Sequence, residues 1–424
     1  MNAASSPPAS ARPRFDVGDL LRTFGGPFLA SASLSPAVKK VLHLLMACRT
    51  AELGGHMASC HDCALQWPEY NSCGNRHCPK CQGPVRVKWV HERMASWLPV
   101  HAFHSVFTLP AELRPLVLAN RTLLFNLLFH CVAETLRELA DNPKWLGALP
   151  GFTLVLHTWA RDLSFHPHIH AIITGGGLTQ DELTWKATRP HFFIPVRVIS
   201  ALFRGKFLDG LKKLHEKGAL SCPGMLAPLS RSGPFNRLLK RLHARDWVVY
   251  VKPPFSSAQQ VLQYLGHYTH RFGLSNSRLQ EVKDGCIRFK TRGAQSVTLR
   301  LEEFFRRFTL HILPERFMRI RHYGLLGSGN RKKLEKARAL LNASGEGLSW
   351  SLEKAVLQQK EKEKEKEDRP RKEKTCPGCG GTHITRKPLE GLLEGWEPKC
   401  RGWEVLVEKL RRLAGGIEAR TGPS

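Results

Sequence analysis

Five cysteines, Cys60, Cys63, Cys73, Cys78 and Cys81, crowd into 22 residues of the chain, and no other feature limits the fold as tightly. Cys60-x2-Cys63 and Cys78-x2-Cys81 are short turns separated by fourteen residues. Each such turn aims two thiolates at one tetrahedral centre, the spacing of a four-cysteine zinc site. His56, Cys73 and His77 stand close enough to exchange into that site or to build a second one. Four protein ligands close the coordination shell, so the zinc expected here is structural. A weaker echo lies far downstream, where Cys376-x2-Cys379 could combine with His383 or Cys400 in a second zinc site. The opening residues carry no apolar leader and read as an unstructured lead over 1–29, so the clustered thiols point to metal in a reducing cytoplasm rather than to disulfides. No stretch is apolar enough to span a membrane: the strongest, after Arg121, is interrupted by Asn126 and His130.

Charge adds a partner. The 424 residues carry a formal net charge of +28 at 42% hydrophobic content, which fits a folded protein with a polyanion partner. The excess is local: residues 201–350 hold 28 basic against 10 acidic side chains, whereas residues 1–200 hold 19 against 13. One anion-binding face follows. Along the chain, the cysteine cluster sits in a module over 30–100, with helical spacing from Ala37 to Cys48 and from Pro84 to Leu98. Apolar runs at 101–110, 152–159, 168–174 and 247–252 read as strands, and Ala111–Leu139 and Arg197–Lys217 read as helices. Gly175, Gly176 and Gly177 are expected to break the chain, and Asp284-Gly285 to close a hairpin. Strands and helices alternate without regular crossover units, so residues 101–342 are expected to form an α+β domain. Residues 343–424 form a charged tail in which Lys360–Lys374 alternates sign with no apolar face, the pattern of a solvated linker.

His166-Pro167-His168-Ile169-His170 is the most informative local pattern. On a strand, alternation puts His168 and His170 on one face, where two imidazoles can converge on one divalent ion. A further ligand must come from elsewhere, and His157, Gln260 and His166 are the candidates. Two of the five tyrosines, Tyr264 and Tyr268, are spaced i, i+4, so on a helix both hydroxyls share a face. Packing with Val261 and Leu265 is the plain alternative, but the pair sits among His267, His270, Arg271 and Arg278. A tyrosine hydroxyl needs nearby cations or metal to attack at neutral pH.

The segments NSCGNRHCPKCQ (71–82), HSVFTLPAELR (104–114), FHPHIHAIITGGGL (165–178), YLGHYTHRFGLSNSRL (264–279) and RIRHYGLL (319–326) together resemble the rolling-circle insertion-sequence transposases of the IS91 type, two-tyrosine HUH nucleases with an N-terminal zinc-binding domain. The resemblance covers roughly residues 30–340. It implies an antiparallel sheet carrying the paired histidines and facing a helix that carries the nucleophile. It further implies His168 and His170 as ligands of Mg²⁺ or Mn²⁺, Tyr264 and Tyr268 as nucleophiles, and single-stranded DNA at element ends and target as partner, in the cytoplasm at the nucleoid. Arg271, Arg278, Lys290, Arg292, Arg306 and Arg307 would hold the DNA backbone. A plasmid replication initiator or relaxase shares that chemistry. A non-catalytic zinc DNA-binding protein would explain the charge and cysteines but neither the histidines nor the tyrosines.

Overall fold

A computed structural model describes residues 15–82, 97–189, 194–255, 273–343 and 375–389. Its described residues divide into two bodies, one built from residues 15–75 and 375–389, the other from residues 76–343. The first body therefore closes inside the segment read above as one module, and residues 375–389 belong to it.

In the first body, Asp16 caps the helix Val17–Phe24 by accepting N–H bonds from Gly18 and Asp19, and Ser35 with Pro36 starts the helix Pro36–Ala47. Val17, Leu20, Leu21, Leu42, Leu45 and Met46 bury their apolar faces. Strand β1 (Gly55–Cys60) pairs antiparallel with β2 (Gln66–Tyr70) on one edge and with the strand Ile384–Pro388 on the other. The tail thus contributes a strand to the N-terminal body, which local sequence patterns do not reveal: Ile384–Pro388 is a short, mostly exposed edge with no apolar alternation.

The second body is organised by an antiparallel sheet of β3 (Ala102–Thr108), β4 (Leu149–Trp159), β5 (Phe165–Leu178), β6 (Trp185–Ala187), β7 (Val249–Phe255) and β11 (Ile320–Gly324). The order is β11-β4-β5-β3-β7, with β6 on β5. Residues directly opposite in an antiparallel sheet share a face. Register therefore sorts the strands. Phe103, Phe107, Leu154, Leu156, Ile169, Ala171 and Ile173 lie on one side and are buried with the helices Arg121–Asp141 and Val196–Glu216 in the main core. His104, His157, His168, His170 and Lys252 lie on the other.

The glycine run does not break the chain. β5 continues through it to Leu178 because a side chain at Gly175 would strike the His101 ring, and one at Gly177 the Leu149 backbone. Asp284-Gly285 does close the hairpin between β8 (Leu279–Lys283) and β9 (Cys286–Lys290), with φ of 49° and 70° as a type I′ turn requires. With β10 (Ser296–Arg300) these strands form a separate sheet, and Ile287 and Phe289 are buried as Phe304 and Phe308 of the helix Leu301–Leu310 are, Phe289 meeting Phe304 edge to face.

Candidate active site and cysteine knuckles

His168 and His170 leave the same face of β5, and His157, directly across from His168 on β4, joins them. One ring nitrogen from each of the three lies within 4.8 Å of the others. Hydrogen bonding fixes the His168 tautomer and ties His170 to a neighbouring strand. His168 Nδ1–H donates to the His166 carbonyl (2.7 Å), and His170 Nδ1 meets His104 Nε2 (2.9 Å) on β3. Their Nε2 atoms stand 3.1 Å apart, within hydrogen-bonding distance of each other. Partners of this kind orient imidazole ligands and raise their basicity.

Burial holds the His168 and His170 rings in the neutral state a metal ligand needs. It pushes His168 down to about 4 and His170 well below its ordinary value. His104 falls to about 3 through burial and then the Lys252 charge. The same effect holds His311 at about 4, where Nε2–H donates to Leu163 O (2.9 Å) and Nδ1 accepts from Thr158 (3.2 Å). All of these folded values lie below 6.5, so the unfolded chain takes up protons first as pH falls. Stability should be full above pH 6.5 and decline from there to about pH 4. Thermal melts at pH 7.5, 5.5 and 4.5 are expected to fall in that order, and a flat profile would contradict the burial reading.

Other expected residues separate. The His166 ring lies 5.2 Å from that of His168 but is not among the three whose nitrogens converge: its Nδ1 accepts from Arg114 Nη2 (2.8 Å), beside a groove of about 240 Å³ lined also by Thr108, Glu112, Arg245 and Trp247. Tyr264, Tyr268, Gln260, Arg271 and Cys400 lie outside the described residues, as do most of the Pro84–Leu98 helix and the Lys360–Lys374 linker. Arg278 spends its guanidinium on the carbonyls of Lys290, Gly273 and Arg161 and covers the Phe289 ring. Arg306 and Arg307 both pair with Glu303, whose carboxyl they hold at about 2. Lys290 and Arg292 are exposed.

The cysteines regroup. Cys60 and Cys63 belong to the first body, Cys78 and Cys81 to the second, so the four ligands read from spacing are divided between them. Cys60 and Cys63 instead meet Cys376 and Cys379, all four sulfurs within 4.8 Å of one another. His77 is buried and accepts the Leu313 N–H at Nε2 (3.2 Å), and Cys73 donates its N–H to Cys48 Sγ (3.5 Å). His56 sits opposite Glu69 and Pro388 on β1, and His383 bonds Asp62.

His104 is the site residue that residue patterns missed. Its only sequence signal is its place in a strand motif two positions before Val106, which faces His170 across the sheet.

Comparison with known proteins gives the class first. Residues 151–334 match the family model described as "Putative transposase", and residues 20–109 match "Transposase zinc-binding domain". The chain is 41% identical over 405 residues to "Putative transposase y4qJ" of Sinorhizobium fredii, covering 93% of this chain and 100% of the relative. It is 30% identical over 292 residues to "Transposase for insertion sequence element IS801" of Pseudomonas savastanoi pv. phaseolicola, 67% of this chain and 69% of that one. The chain belongs to the IS91-type transposases, with a zinc-binding domain ahead of the histidine-bearing sheet. Among the described residues, no helix is long and apolar enough to cross a membrane.

Proposed function

We propose that this transposase cuts and rejoins single-stranded DNA at the ends of its element through a tyrosine nucleophile, by a rolling-circle route. The observation that carries the reading is the convergence of His157, His168 and His170, with His168 held by His166 O and His170 by His104. Three imidazoles fit a divalent ion, and being softer than carboxylates they favour Mn²⁺ over Mg²⁺. A bound ion would supply Lewis-acid polarisation of the scissile phosphate.

The chain's own groups do the rest. A tyrosine Oη attacks phosphorus and the P–O3′ bond breaks. The 3′ oxygen takes up a proton, and a 5′-phosphotyrosine ester conserves the phosphodiester energy, so no ATP is needed. Tyr264 and Tyr268 are the proposed nucleophiles; two of them permit a second cleavage before the first strand is released. The described ends of their segment support this. β7 ends at Phe255 in the sheet, and the chain resumes at Gly273, where a Cβ would lie 3.2 Å from Trp159, the ring stacked on His157 at 4.5 Å. Tyr268 stands five residues before that point, a reach of at most about 18 Å of extended chain. Lys252 lies on the histidine face opposite His104, and its positive charge there would favour a phosphate.

Binding should depend on salt through the exposed cations. Lys290→Ala and Arg292→Ala should each weaken single-strand binding and flatten the log–log salt slope by about 0.7. Arg278→Ala should chiefly lower the melting temperature, since its N–H groups serve three carbonyls. Fluorescence anisotropy against salt, with melts of the same proteins, separates the two. The reading as a whole is tested by incubating labelled element-end oligonucleotides, single-stranded and duplex, with protein and Mn²⁺. Cleavage confined to the single strand supports it, and cleavage of duplex alone, or none on any end sequence, refutes it.

A further inference from the structure

We propose that Cys60, Cys63, Cys376 and Cys379 bind one zinc ion, so that the N-terminal zinc-binding domain is completed by the far end of the chain. The four residues are two copies of one knuckle. In each, the first cysteine N–H donates to the carbonyl five residues on, Cys60 to Leu65 (2.9 Å) and Cys376 to Gly381 (2.8 Å). In each, the residue after the second cysteine is left-handed, Ala64 with φ 58° and Gly380 with φ 77°. The C-terminal copy also shows N–H···S bonds from Gly378 to Cys376 and from Gly381 to Cys379, both 3.4 Å. Amide donors aimed at sulfur favour thiolate, the form that binds metal.

The knuckles face each other. Cys60 Sγ lies 3.6 Å from Cys379 Sγ, and Cys63 Sγ 3.4 Å from Cys376 Sγ. Tetrahedral zinc with bonds of about 2.3 Å puts sulfurs about 3.8 Å apart, whereas a disulfide requires about 2.05 Å. All four thiols are free. The surroundings are built for the approach. His61 N–H donates to His383 O (2.9 Å) between the knuckles, and a side chain at Gly378 would crowd Leu65 at 3.0 Å and sit 3.8 Å from Cys63 Sγ. Pairing of Ile384–Pro388 with β1 continues from the same junction, Cys60 opposite Ile384.

The consequence is mutual dependence of the two chain ends. Metal affinity at such a site is folding free energy, so the strand Ile384–Pro388 and the N-terminal knuckle should hold or be lost together. This site and the phosphotyrosine chemistry stand on different residues, and the following readouts do not involve cleavage.

Full-length zinc-loaded protein is pulsed with iodoacetamide, and modified cysteines are mapped by mass spectrometry. Cys63 and Cys379 are exposed, so as bare thiols they would react at once. The expected result is protection of at least about tenfold, lifted for all four cysteines together once a chelator strips the metal. Cys376→Ser and Cys379→Ser should each lose the same single zinc as Cys60→Ser, and Cys60→Ser/Cys376→Ser no more than that. Immediate labelling of Cys63 and Cys379 in the loaded protein overturns the proposal, as does full zinc retention by Cys376→Ser or a disulfide-linked peptide pair. The wild-type labelling decides even where a variant fails to fold.

Discussion

Alanine at His168 or His170 is expected to lower strand cleavage on the order of 10³-fold, the scale of losing preorganised stabilisation of developing charge. The two Nε2 atoms meet at 3.1 Å, and His166, held by Arg114, does not replace either of them. His104→Ala should act differently. It removes the hydrogen-bond partner of His170 Nδ1, and loss of such a partner typically costs 10–100-fold in metal affinity. Its loss should therefore be recovered in part at high Mn²⁺, and glutamine, which retains a hydrogen-bonding end, should rescue better than alanine. Cleavage rates titrated against Mn²⁺ distinguish these outcomes; an unchanged Mn²⁺ dependence in His104→Ala would remove it as a positioning residue.

Phe107→Ala should cost about 3–5 kcal/mol of stability. Phe107 is fully buried, meets Phe203 edge to face at 5.2 Å, and lies opposite Ile169, the residue between the two histidines. Its deletion leaves a cavity beneath the strand that carries the site. For a body of this size, each kcal/mol lowers the melting temperature by roughly 2–4 °C, so a fall near 10 °C is expected in a thermal melt. Phe107→Leu should recover more than half of it. A fall of only a degree or two would mean that the core relaxes into the space.

Short-range patterns carried much of the second body. The strand bearing His168 and His170, the two long helices and the Asp284-Gly285 turn follow from alternation, 3.6-residue spacing and turn chemistry, because each is decided by neighbours in sequence. What eluded them depends on distant pairing. The glycine run stays in β5 because of His101 and Leu149, and His104 gains its role only when β3 lies beside β5. The cysteines make the same point. Spacing identifies Cys60-x2-Cys63 as half of a knuckle pair, but its partner is more than three hundred residues away. Likewise Arg278, Arg306 and Arg307 look available as cations until the carbonyls and Glu303 that hold them come into contact.

The most direct test of the central claim is the site of the covalent adduct. Protein is incubated with a single-stranded element end and Mn²⁺, denatured and digested, and the nucleotide-bearing peptide is sequenced by mass spectrometry. The peptide ending at Arg271 contains Tyr250, Tyr264 and Tyr268, and Tyr250 is an exposed residue in register with Val106 and His170. The account predicts a 5′-phosphotyrosine at Tyr264 or Tyr268, absent in His168→Ala. An adduct at Tyr250, or cleavage with no protein-linked product, would contradict it.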